Sequence, residues 1–217
     1  MRLAILGVGL IGGSIGRAAR ERGLAEVTGY VRNPAKRDEC LEVGVVDRMA
    51  ESIEDACADA DVVVCCAGVA SLVPMVEAAL AAAGPDCVVT DVGSTKAELV
   101  EAIGGDERFI GGHPLAGAET AGVADARADL FGGARWYLTP APSCSGVLYD
   151  RLQRLIAGIG ARPVAIEPVE HDRAMAVVSH LPHVFANQLA VQGRPGSERL
   201  GAVAPSLRDA TRVAGSN

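Results

Sequence analysis

The stretch GVGLIGGSIG at residues 7–16, directly after the apolar run RLAIL (2–6), constrains the fold of this chain more than any other feature. Gly7, Gly9 and Gly12 make the spacing G-x-G-x-x-G between a strand and a helical stretch at 10–22. In that setting Gly7 permits a tight turn, Gly9 lets the backbone approach a pyrophosphate, and Gly12 lets the helix pack close to the strand. The pyrophosphate would rest on the open N–H groups of Leu10, Ile11 and Gly12 at the helix start. The stretch therefore predicts a Rossmann-type dinucleotide-binding domain.

The first half of the chain continues in the same alternation. Apolar runs at 26–31, 60–66, 86–92 and 108–112 read as strands, and 34–43, 71–83 and 94–103 read as helices. Ser94 opens the last of these as a side-chain N-cap. Alternation of this kind implies an α/β fold, a parallel sheet covered on both faces. RWYLTP (135–140), a helix at 146–158 and RPVAI (162–166) add edge strands to the same sheet, with Phe131 and Trp136 in the core and Asp91 closing a strand end. Residues 168–192 then carry apolar side chains at helical period, and only helix signals come after them. The expected division is a dinucleotide-binding domain at 1–166 and a short all-helical substrate and dimerisation domain at 167–217.

Composition narrows the partners. A net charge of −7 with no basic stripe argues against nucleic acid. No apolar stretch is long enough to span a bilayer, and MRLAILGVG enters a strand directly, unlike a signal peptide. The six cysteines form no C-x-x-C pair, which reads as reduced thiols in a cytoplasmic protein with no metal site.

The end of the second strand bears on the cofactor. An acid about 20 residues after the glycines would bond the ribose 2′-OH of NAD. This chain has Val31 there, with Arg32, Asn33 and Lys36 beside it. Arg32 can take a 2′-phosphate in a forked geometry, which favours NADP over NAD; stacking on adenine or facing water is the other reading of Arg32.

Chemistry belongs in the loops that leave the carboxyl ends of the strands. Ser94, in DVGSTK (91–96), and His113, in GGHPLAGAE (111–119), are so placed. Oxidising an alcohol requires a base for the hydroxyl proton, and histidine suits that task near neutral pH. A ring capping a turn carbonyl is the structural alternative for His113.

Taken together, GxGLIGGSIG, DVGSTK, GGHPLAGAE, HD (171–172), SHLPH (179–183) and RDATRVAGSN (208–217) occur in order and closely resemble the prephenate/arogenate dehydrogenase family of the tyrosine pathway. The resemblance implies oxidative decarboxylation of prephenate to 4-hydroxyphenylpyruvate, or of arogenate to tyrosine, with no metal. It implies that His113 takes the proton of the ring 4-hydroxyl and that Ser94 assists while contacting the cofactor. Glu119 would lie near the site entrance, His183 and His180 on the substrate side, and Arg212 on a substrate carboxylate. His171 and Asp172 would order the helix start and the neighbouring site. Core packing for the two histidines and a solvated ion-pair cluster of Arg208, Asp209 and Arg212 are the alternatives. Members of the family continue past TRVAGSN with helices that complete a homodimer, whereas this sequence stops there. Two other functions stand beside this one. A β-hydroxyacid dehydrogenase would place a lysine on the interdomain helix, and 168–192 has none. A catalytically silent dinucleotide-binding module is the other.

Overall fold

The computed structural model describes residues 1–118 and 120–214. Strands β1 (Arg2–Leu6), β2 (Glu26–Tyr30), β3 (Arg48–Met49), β4 (Val62–Cys65), β5 (Val88–Asp91), β6 (Phe109–Pro114), β7 (Arg135–Pro140) and β8 (Arg162–Ala165) form one sheet. Its order is β3-β2-β1-β4-β5-β6-β7-β8. All neighbours pair in parallel except β6 and β7, which run antiparallel with His113 opposite Tyr137. The order reverses between β1 and β4, and in open α/β sheets ligands bind in the crevice beyond the strand ends at such a reversal. The glycine turn lies there.

Helices α1 (Leu10–Glu21), α2 (Arg37–Glu42), α3 (Ile53–Cys57), α4 (Leu72–Ala82), α5 (Ala97–Ile103) and α6 (Gly146–Gly158) cover the sheet. Alternate strand residues feed two separate cores, as the period of two requires. Leu3, Ile5, Val62, Val64, Val88 and Ile110 pack with α1 and α6. Ala4, Leu6, Val63, Cys65, Val89 and Phe109 pack with α3, α4 and α5. Phe131 and Trp136 are buried in the first core, with ring centroids 5.3 Å apart.

Beyond β8 the described chain is helical: α7 (Pro168–Met175), a π turn at Ala176–His180, α8 (Leu181–Leu200) and α9 (Pro205–Ala210). The helical period over 168–192 is matched by helix throughout, interrupted in its regularity by the π turn. Leu181 N–H reaches back five residues to the Ala176 carbonyl. Pro182 has no N–H for the Val178 carbonyl, which favours a widened turn at this point. No helix among the described residues is long and apolar enough to cross a membrane.

The glycines of the first turn are separable by what surrounds them. A Cβ on Gly12 would lie 2.3 Å from the Gly7 carbonyl oxygen and 2.9 Å from Ile5 Cγ2, whereas one on Gly9 would meet nothing within 4 Å. Gly12→Ala should therefore lower the unfolding free energy by about 1–3 kcal/mol through overpacking. Gly9→Ala should stay within about 1 kcal/mol of the parent. Urea denaturation of both variants checks this; equal losses would remove the distinction.

Candidate functional site

The glycine turn presents an anion site built from backbone. Gly7 holds φ +102°, a left-handed conformation that favours glycine. Gly9 is the N-cap of α1, with no side-chain cap and no acidic residue in the first turn. The first N–H groups of a helix have no intrahelical partner and carry the positive end of its dipole. Open space at Gly9 and uncapped N–H groups at Leu10, Ile11 and Gly12 fit the pyrophosphate of a dinucleotide. Beyond β2, Val31 is buried at 8% exposure, and Arg32 is exposed with no hydrogen bond or ion pair among the described residues. The edge that would meet the adenosine ribose thus offers a cation and no carboxylate.

Two neighbouring strands carry the rest. β5 ends at Asp91, whose side chain is fully buried. Its Oδ2 accepts the Gly93 N–H at 2.7 Å and the Lys96 ammonium, and its Oδ1 accepts the Gly112 N–H at 2.9 Å. The loop bearing Ser94 and the strand bearing His113 are joined through this one carboxylate. Ser94 does not cap α5: the helix begins at Ala97, with Lys96 at its N-cap position and no cap from its own neighbourhood. Its first N–H groups instead reach Asp172 on α7, Lys96 N–H donating to Oδ1 at 2.8 Å and Ala97 N–H to Oδ2 at 2.9 Å.

His113 leaves β6 half-buried and turns its Nδ1 to Nε2 of His171, 2.9 Å away. His171, fully buried, turns its own Nδ1 to Oδ1 of Asp172 at 2.7 Å. Tyr137, across the strand pair from His113, sets its ring at 72° to His171 with centroids 5.6 Å apart. Burial, helped by the nearby charges of His171, Lys96 and His180 and opposed by Asp172, pushes the His113 pKa down to about 3. Burial disfavours the charge of Asp172, but the Ala97 N–H, His171 and the Lys96 N–H outweigh it and hold the carboxyl below the usual range. A neutral imidazole is the form of histidine able to take a proton, and here it is linked through His171 to a fixed carboxylate.

The remaining expected residues lie on the helical segment. His180 closes the π turn, near enough to bear on the charge of His113. His183, in the first turn of α8, has Nδ1 within 2.8 Å of the Ser179 carbonyl oxygen. Arg212 lies just after α9. Among the described residues no ion pair joins Arg208 to Asp209, and the backbone N–H of Arg212 donates to the Asp209 carbonyl at 3.4 Å. No hydrogen bond among those residues links Ser94 to His113. Glu119 lies outside the described residues. Sequence reasoning did not find the direct contact of His171 with His113, nor Lys96 and Tyr137 beside it. The HD pair at 171–172 is the sign of it in the sequence.

An α/β sheet with this strand order and an uncapped glycine turn at its reversal defines a dinucleotide-binding protein of the Rossmann type. Residues 15–165 match the family described as Prephenate dehydrogenase, nucleotide-binding domain, and residues 167–217 match Prephenate dehydrogenase, dimerization domain. The chain belongs to the prephenate dehydrogenase family. It is 32% identical over 225 residues to a prephenate dehydrogenase of Bacillus subtilis (strain 168), spanning 99% of this chain and 61% of that protein. Among solved structures it is similar to prephenate dehydrogenase from A. aeolicus in complex with hydroxyphenyl propionate and NAD+, with TM-score 0.91 and 30% identity over 100% of this chain and 79% of that one. Synechocystis arogenate dehydrogenase matches with TM-score 0.82 and 28% identity, over 100% and 80% of the two chains.

The depressed basicity of His113 links the site to stability. Between pH 6.5 and about 3 the unfolded chain binds a proton at this residue and the folded chain does not. The stabilisation due to neutral His113 is thus complete above pH 6.5 and is lost as pH falls toward 3. His113→Asn should show a shallower decline of unfolding free energy over that window than the parent. Urea titrations at stepped pH measure it, and identical slopes would mean that His113 is not held neutral by the fold.

Proposed function

We propose that this chain performs the NAD(P)-dependent oxidative decarboxylation of prephenate to 4-hydroxyphenylpyruvate, or of arogenate to tyrosine, in tyrosine biosynthesis. The observation that carries this reading is His113 at the end of β6, its Nδ1 hydrogen-bonded to His171, which is in turn bonded to the Asp172 carboxylate, on the same sheet as the glycine turn. A bound dinucleotide would supply the hydride acceptor, held by the backbone of Gly7, Gly9, Leu10, Ile11 and Gly12. His113 takes the proton of the C4 hydroxyl as hydride leaves C4, and Ser94 hydrogen-bonds the same oxygen. The electron pair of the bond from C1 to its carboxylate then flows into the ring, carbon dioxide departs, and the phenolate oxygen takes the proton back from His113. Aromatisation supplies the driving force, so the protein needs a base, alignment and anion binding.

A substrate with two carboxylates meets a chain of net charge −7, so its cations must be placed locally. Arg212 is assigned to a substrate carboxylate, His183 and His180 to the substrate side, and Glu119 to the site entrance. Residues 1–166 bind the cofactor and 167–217 complete the substrate site. The helical segment exposes Val177, Val178, Leu181, Val184 and Phe185, an apolar face suited to a homodimer. The protein acts in the cytoplasm.

A matrix of both substrates against NAD and NADP, read by reduced-cofactor absorbance, tests the reading. His113→Asn should keep nucleotide affinity and lower kcat by on the order of 10²–10⁴, the range for a positioned base. Near-normal turnover in that variant would remove His113 from the chemistry.

Arg32 is proposed to hold a 2′-phosphate, because Val31 offers no acid to repel it. Arg32→Ala should weaken NADP by roughly 10–100-fold, equivalent to a charge-assisted bond of about 1.5–3 kcal/mol, and leave NAD nearly unchanged. Nucleotide titration by fluorescence decides; equal or tighter binding of NAD by the parent would overturn it before any variant is made.

A further inference from the structure

The carboxylate of Asp172, His171 and His113 form an unbroken line of hydrogen bonds that ends at the proposed catalytic atom. Asp172, when ionised, can only accept, and it already accepts the Lys96 and Ala97 N–H groups at 2.8 and 2.9 Å. The ring atom facing it, Nδ1 of His171 at 2.7 Å, must therefore carry a hydrogen. In neutral His171 the other ring nitrogen, Nε2, is then an acceptor, and the atom 2.9 Å from it is Nδ1 of His113. That contact is a hydrogen bond only if His113 Nδ1 carries a hydrogen. Neutral His113 then has a bare Nε2, which has no hydrogen-bond partner among the described residues.

We propose that His171 and Asp172 are positioning residues that fix His113 as its Nδ1–H tautomer and present Nε2 as the proton acceptor. The inference rests on the reaction proposed above for the identity of the proton, though not for the tautomer itself. The substrate hydroxyl proton goes to Nε2, the Nδ1–H bond to His171 stays intact, and the charge that develops faces the Asp172 carboxylate through His171. Two features keep the line in register. Asp172 is fixed to the start of α5 by the two N–H groups, and His171 is buried with the Tyr137 ring set edgewise against it. Without His171, nothing among the described residues selects between the two tautomers of His113. A Nε2–H imidazole cannot act as base toward a hydroxyl at that atom.

The test reads the tautomer directly. Long-range proton–nitrogen spectra of the full chain resolve the ring nitrogens of its four histidines, with His113 assigned by its loss in His113→Asn. The parent should show His113 as Nδ1–H, and His171→Leu should convert it wholly or partly to Nε2–H. In turnover, His171→Leu should lower kcat at least about 10-fold with substrate and nucleotide KM within about 2-fold, inside the range a positioned base supplies. His171→Gln offers a carbonyl to His113 and an amide N–H to Asp172, and should restore most of the loss. If His171→Leu does not fold, the parent spectrum and the glutamine variant still decide. A parent His113 in the Nε2–H form overturns the proposal, as does a glutamine variant as impaired as the leucine one. Absence of turnover with every substrate and nucleotide would overturn the proposed reaction alone, because the tautomer is measured without it.

Discussion

The geometry of the site depends first on the buried carboxylate of Asp91. One side chain accepts the N–H of Gly93, immediately before Ser94, and the N–H of Gly112, immediately before His113. Its partner Lys96 is as fully buried as itself. Burial pushes the Asp91 pKa up and that of Lys96 down, and their mutual attraction opposes both shifts. Such a pair adds little net stability, because removing two charges from water consumes most of what their attraction returns. Its effect is on position. Gly112 must come so close that a Cβ there would lie 2.5 Å from the Asp91 carbonyl oxygen, which explains a glycine directly ahead of the histidine. The β5 loop and the β6 end are thus held in one register, and a base on one can face a hydroxyl bound beside the other.

A second carboxylate does the same between the sheet and the helical segment. Asp172 lies 76 residues from Lys96 in sequence, yet supplies the cap that α5 lacks locally. An anion at a helix N-terminus is favoured by the exposed N–H groups and by the dipole. The same argument leaves the start of α1 open, because no acidic residue occupies its first turn. Of these two helix starts, one is filled by the protein and the other offered to a ligand. That contrast sets an open, anion-ready helix start at the glycine turn apart from the stretch of the strand ends where His113 lies.

How much the sequence discloses is set by the range of the forces involved. The glycine turn, β1, β4 and β5 are legible because short apolar runs and glycine spacing are local signals. Ser52, Ile53 and Cys57 in ESIEDACAD begin and build α3 through a side-chain cap from Ser52 to the Asp55 N–H, but too few apolar residues recur to announce a helix of five residues. β3 has two residues and pairs only at the sheet edge. Ser94 reads as the cap of α5 because serine caps are local, whereas the actual acceptor arrives from α7. The same distance hid the contact between His113 and His171, which are 58 residues apart. His113 itself was legible from its place at a strand end, and its neutrality was not, because burial is a property of the packed chain.

The π turn shows how one residue transmits its chemistry to the site. In a regular helix the Pro182 nitrogen would face the Val178 carbonyl with nothing to donate, and its ring would crowd that carbonyl. Widening the turn before it, with Leu181 N–H bonded five residues back to Ala176, relieves the crowding. His183 then brings Nδ1 to the Ser179 carbonyl oxygen at 2.8 Å, satisfying a backbone acceptor within the irregular stretch. His180, at the end of the same turn, comes close enough to contribute to the low basicity of His113. In SHLPH, therefore, the proline is a geometric device: it sits where the helical period is broken, between His180 and His183.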